Sequence, residues 1–217
     1  MTALLTTIDV ETAPNPEFAV ILMHGLGADA NDFVSLVPEL RLGDLPAVRF
    51  VFPNAPEMPI TANNGYRMRA WYDILSFEGI NRRVDEAGLK ASCDRIRALI
   101  VRENDRGIPT SKIFLAGFSQ GGAMTYTAGL THPGKLAGLI VLSGYVPSTS
   151  LIDVSFSEAN LDTPIFAAHG TADDVLPIQL ATQGRDFARG HGCNLEWHTY
   201  PMAHSVCAEE IEALRVW

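Results

Sequence analysis

Residues 117–121 read Gly-Phe-Ser-Gln-Gly, with the apolar run "IFLA" just before them and "GAMTYTAGL" just after. A serine among glycines can cradle a phosphate, make a plain turn, or attack a carbonyl. A phosphate loop of the P-loop kind needs a lysine directly after its glycines, and none stands there. A sharp strand-to-helix turn lifts a serine hydroxyl above the sheet, and flanking glycines give that turn its clearance. The pattern G-x-S-x-G is common by chance. It marks Ser119 as a nucleophile only if the chain also supplies a base and an acid, because an unassisted hydroxyl attacks poorly.

Two later stretches supply them. "HGTADDVLP" (169–177) offers Asp173 and Asp174 at the end of an apolar run. Asp173 is the preferred acid, since the turn "GTAD" can aim it inward while Asp174 caps the next helical segment; the residues alone leave both open. Of the six histidines, His204 in "YPMAHSVC" (200–207) alone lies beyond the last expected strand, downstream of serine and acid. His132 and His191 fall in expected surface turns and His198 within a strand. His24 opens a glycine loop that it would brace, and His169 reads as a structural histidine. The order Ser119, Asp173, His204 is that of the α/β hydrolases. Such chemistry builds negative charge on a carbonyl oxygen, and fixed N–H donors must meet it. The N–H of Gln120, next after the serine, is one donor. The loop "HGLGAD" (24–29) offers the other, assigned to Leu26.

The same glycine loop admits a rival. Gly25, Gly27 and Ala30 fit G-x-G-x-x-A, a dinucleotide-binding fingerprint. That reading expects an acidic residue at the end of the next strand, where the chain has Asn54. It also leaves the serine, aspartate and histidine placements without a reason. A metal site from His169, Asp173, Asp174 and His204 lacks the H-x-H or H-E-x-x-H spacing of such centres. No metal and no cofactor are expected.

Six short runs must carry these residues: 18–23, 48–52, 112–116, 138–142, 164–168 and 195–200. Most are apolar throughout, as in strands covered on both faces. Segment 4–10 is expected to pair with 18–23 as an antiparallel edge. Helical spacing covers 30–41, 82–105, 120–131, 178–190 and 205–216. Leu89, Cys93, Ile96 and Ile100 share one face of the second of these, and Cys207, Ile211 and Leu214 one face of the last. Alternating strands and helices predict an α/β fold, a mainly parallel central sheet with helices on both faces. In such sheets ligands bind beyond the carboxyl ends of the strands, which is where all three candidate loops fall.

The 217 residues suit one domain spanning 1–217. A formal charge of −9 argues against nucleic acid as a partner, since no basic patch is visible to neutralise phosphates. The N-terminus lacks the basic and long apolar parts of a signal peptide. No stretch is apolar for long enough to span a bilayer. Three widely spaced cysteines read as free thiols in a reducing compartment. A cytoplasmic protein is expected.

Taken in order, "HGLGAD", "RFVFPNAP", "MRAWYDI", "IFLAGFSQGG", "HGTADDVLP" and "YPMAHSVCAEE" resemble the phospholipase/carboxylesterase family of small α/β hydrolases, from about residue 17 to the C-terminus. That family includes bacterial carboxylesterases and acyl-protein thioesterases. The resemblance implies Ser119 as nucleophile, Asp173 as acid and His204 as base, with Leu26 and Gln120 as oxyanion donors. It also places Trp71, by composition an ordinary core aromatic, beside the acyl site. Arg69 stands where relatives often carry proline. The implied activity is hydrolysis of esters or thioesters of small to medium acyl chains through an acyl-enzyme. An acyl-protein thioesterase and a lysophospholipase are alternative physiological activities. The substrate is a small-molecule or protein-borne acyl ester, and a homodimer is possible by family analogy. Only 143–163 separates two strands where many hydrolases insert a cap, so no large cap domain is expected. With the site covered at most by loop 53–80, Trp71, Ile74, Phe77 and Val175 are the candidate substrate contacts, and Leu26 is a further one.

Overall fold

The computed structural model describes residues 4–43, 45–78 and 80–217. The strands in chain order are β1 (Thr7–Glu11), β2 (Phe18–Met23), β3 (Val48–Pro53), β4 (Glu57–Ile60), β5 (Tyr66–Arg69), β6 (Ile74–Glu78), β7 (Asn81–Val84), β8 (Ile113–Phe118), β9 (Gly138–Leu142), β10 (Ile165–Gly170) and β11 (Leu195–Tyr200). The helices are α1 (Leu36–Glu39), α2 (Glu86–Asp105), α3 (Gln120–Leu130), α4 (Thr149–Ser155), α5 (Ile178–Gly190) and α6 (Ala208–Val216).

Seven strands form the central sheet in the order β1-β3-β2-β8-β9-β10-β11. All neighbouring pairs are parallel except β1 with β3. Burial on both faces explains the continuous apolar runs: β9 and β10 are buried at every position. One apolar cluster packs the sheet against α2, α3 and α5, the other against the α1 region and α6. Among the described residues no helix is long and apolar enough to cross a membrane.

The edge strand differs from expectation. β1 is antiparallel but pairs with β3, because both sides of β2 are taken by β3 and β8. Charge fixes the choice: Arg49 on β3 reaches Asp9 at 2.6 Å and Glu11 at 2.5 Å on β1, and Glu103 of α2 at 3.2 Å. The helix expected over 30–41 shrinks to α1. The Asp29 carboxylate accepts the Asn31 N–H at 2.8 Å, and Asn54 accepts the Ala30 N–H at 3.0 Å. These side chains hold the first residues in turns. Helix α2 begins four residues later than expected, where the Asp85 side chain accepts the Ala87 N–H. Residues 81–84 belong instead to a hairpin with β6, and β4 pairs with β5 in another. The expected open loop 53–80 is therefore largely two small hairpins beside the carboxyl ends of the main strands. Cys207 falls at the cap position before α6 rather than on the helix itself.

Candidate active site

Ser119 stands between β8 and α3 with φ 56° and ψ −116°, a backbone conformation that side-chain-bearing residues rarely adopt. The strand and helix close on each other so tightly that only glycine fits. A Cβ on Gly117 would lie 2.2 Å from the Gly121 backbone, and one on Gly121 2.1 Å from the Met23 oxygen. The Ser119 N–H donates to the Leu142 oxygen at 2.9 Å, which locks the turn against β9.

His204 comes to the same place from the loop after β11. Its Nε2 is 2.9 Å from Ser119 Oγ and its Nδ1 2.6 Å from Asp173 Oδ2. The Phe118 ring lies 4.7 Å away, centre to centre. The other Asp173 oxygen accepts the N–H groups of Val175 at 3.0 Å and Leu176 at 2.7 Å. Asp173 is buried, whereas Asp174 is exposed. Asp174 does not cap α5, whose cap residue Pro177 has no side-chain hydrogen bond; Asp173 instead holds the turn that leads to the helix. The structure thus brings Ser119, His204 and Asp173 into one hydrogen-bonded chain.

Of the remaining histidines, only His169 approaches this chain among the described residues, its Nε2 lying 3.4 Å from Asp173 Oδ2. His24 is buried, accepts the Ala55 N–H at its Nε2 and donates from Nδ1 to the Gly25 oxygen. Burial lowers its pKa, which fits the neutral ring those bonds require. His169, also lowered by burial, donates from Nε2 to the Leu176 oxygen at 2.8 Å. His132 is buried at the end of α3 rather than in a surface turn.

The glycine loop is braced so that one N–H stays free. The Gly27 N–H donates to the Arg69 oxygen and the Ala28 N–H to the Gly25 oxygen. Neither the Leu26 nor the Gln120 N–H has an acceptor among the described residues. The Arg69 side chain donates at 3.0 Å to the oxygen of Ala55, the residue whose N–H donates to His24. The Gln120 side chain accepts the Trp71 N–H at 2.8 Å and donates to the Tyr72 oxygen at 2.9 Å.

A cleft of about 340 Å³ opens over Ser119, bordered by Leu26, Ile74, Phe77, Arg82, Tyr145 and Val175. Trp71 does not border it. It is fully buried, and its indole N–H donates to the His24 oxygen at 2.9 Å. A substrate-contacting role for its side chain is thus replaced by a bracing one: Trp71 ties the glycine loop to Gln120. Ile74 and Phe77, three apart, would leave opposite faces of a regular strand. A register shift between Ile74 and Ser76 brings both to the cleft. Arg82 and Tyr145 escaped the sequence reading. The signal for Arg82 was Asp85, whose capping position ends the preceding strand; Tyr145 carried none.

The model of the phospholipase/carboxylesterase family matches residues 8–217. Acyl-protein thioesterase 1 of Neurospora crassa is 44% identical over 207 residues, spanning 90% of this chain and 83% of that protein. The Yarrowia lipolytica protein of the same name is 39% identical over 202 residues, spanning 91% and 89%. Among solved structures, Arabidopsis thaliana SOBER1 superposes with a TM-score of 0.86 at 32% identity, covering 92% of this chain and 96% of that one. Zea mays acyl-protein thioesterase 2, at 21% identity and TM-score 0.85, covers 98% and 96% and shares the fold. The chain belongs to the phospholipase/carboxylesterase family of α/β hydrolases, serine-type enzymes that cleave esters and thioesters.

Proposed function

We propose that Ser119 is the nucleophile, His204 its base and Asp173 the acid that orients His204, in hydrolysis of esters and thioesters of small to medium acyl chains. The observation that carries this reading is the unbroken chain from Ser119 Oγ through His204 to Asp173, beside two N–H groups that have no acceptor among the described residues. His204 Nε2 takes the serine proton as Oγ attacks the acyl carbon. The Leu26 and Gln120 N–H groups bind the developing oxyanion. His204 then returns the proton to the leaving oxygen or sulfur, and the acyl group stays on Ser119. Water, deprotonated by the same histidine, releases the carboxylic acid.

A thioester presented on another protein is favoured as the natural substrate. The names of the similar fungal proteins support it, and so does a cleft with no cap domain over it. We place the enzyme in the cytoplasm, where the three free thiols at Cys93, Cys193 and Cys207 stay reduced. The test is Ser119→Ala. Hydrolysis of p-nitrophenyl esters falls to background, and a fluorophosphonate probe no longer labels the protein, while its circular dichroism is unchanged. Labelling of the variant at wild-type rate overturns the assignment.

A further inference from the structure

Hairpin β6–β7 stands outside the central sheet and walls one side of the cleft. Phe77 and Arg82 are directly opposed across its two strands, so their side chains leave the same face. The Arg82 guanidinium lies over the Phe77 ring, 5.6 Å from its centre, and over the Tyr145 ring at 5.1 Å. Its Nη2 donates to the main-chain oxygen of Val175 at 2.7 Å. Tyr145 follows β9 and Val175 follows β10, so one side chain joins three separately folded parts of the rim. Val175 is itself held by Asp173, through its own N–H.

We propose that Arg82 is a specificity-determining residue. By bridging β7 to the Val175 oxygen, it closes the cleft between Phe77, Tyr145 and Val175 and limits the acyl chain that Ser119 accepts. The proposal rests on Ser119 as the nucleophile. Ile74, Phe77 and Val175 give this side of the cleft its apolar wall, which suits an acyl chain. A chain long enough to pass the wall must displace a guanidinium engaged by two ring faces and a carbonyl. Flat stacking and a directed N–H together are what an arginine supplies. A short acyl chain stops before the bridge.

The experiment compares kcat/KM for p-nitrophenyl butanoate and dodecanoate in the wild type, Arg82→Ala and Arg82→Met. Both variants remove the bridge, and Met keeps the stem that fills the wall. The dodecanoate-to-butanoate ratio rises about tenfold in both. A bridge with only a structural role lowers both rates together and leaves the ratio unchanged; that result, or a lower ratio, overturns the proposal. Fluorophosphonate labelling of the wild type and of Ser119→Ala is read alongside. Wild-type protein that labels at another residue overturns the nucleophile reading instead, whatever the ratio does.

Discussion

Asp173 divides its two oxygens between two tasks. Oδ2 faces His204 Nδ1, and Oδ1 receives two main-chain N–H groups from the turn that follows. Three donors around one carboxylate fix its rotamer, and through it the tautomer and plane of His204. An asparagine keeps the shape but must place an NH₂ against donors on one side or the other. Asp173→Asn therefore lowers kcat on the order of 10⁴-fold, while Asp174→Asn, exposed and outside the chain, stays within about threefold. Steady-state hydrolysis of p-nitrophenyl butanoate decides between them; a larger loss in Asp174→Asn reverses the acid assignment. The choice between these neighbours was open in the sequence because both follow the same strand. What separates them is the direction each side chain takes from one tight turn. Trp71 makes the same point from the other side: "MRAWYDI" marks it as special, but its type does not tell whether the indole meets substrate or holds the loop that does.

The elements bring Ser119, His204 and Asp173 together by clearance as much as by attraction. Gly117 and Gly121 let β8, α3 and the end of β2 meet at backbone contact. Gly121→Ala drives a methyl into the Met23 oxygen, which the sheet prevents from moving, and destabilises the fold by about 3 kcal/mol or more. Gly190→Ala, at the end of α5 with nothing within 4 Å of an added methyl, changes stability by less than about 0.5 kcal/mol. Urea unfolding of the two variants checks the contrast, and a neutral Gly121→Ala contradicts it. These glycines were legible because a strand, a tight turn and a helix leave their own periodicities around them. The six parallel strands were legible for the same reason. The hairpins were not. β4 and β5 hold proline, methionine and charge, and β6 shifts register, so neither shows a clean alternation. Arg82 was hidden with them, inside a stretch whose helical pattern begins only at Glu86.

At the scale of the whole molecule, the contrast between two buried glutamates shows how much depends on what lies opposite. Glu103 on α2 is fully buried, but Arg49 stands 3.2 Å and Arg102 2.8 Å away, so its charge helps join α2 to β3 and, through Arg49, to β1. The pattern of strands and helices predicted the layers, but not this network, because it depends on which strand takes the edge. Glu210 on α6 is just as buried, and neither of its carboxylate oxygens has a hydrogen-bond partner among the described residues. Tyr200 and Cys207 are near it, and neither brings positive charge. Burial therefore pushes the Glu210 carboxyl up from 4.5 to about 7, with the nearby Cys207 N–H, outside hydrogen-bond geometry, offsetting only part of the effect. The folded state favours the neutral acid. Its contribution to stability is complete below the unfolded value of 4.5 and is lost as pH rises through about 7. Glu210→Gln keeps the neutral shape at every pH. Near pH 4 the variant and the wild type unfold at similar urea concentrations; near pH 8 the variant is more stable, by on the order of 3 kcal/mol. A variant that is less stable than the wild type near pH 8 means that the Glu210 charge is partnered in solution, and rejects the account of α6 as a helix docked through a neutral carboxyl.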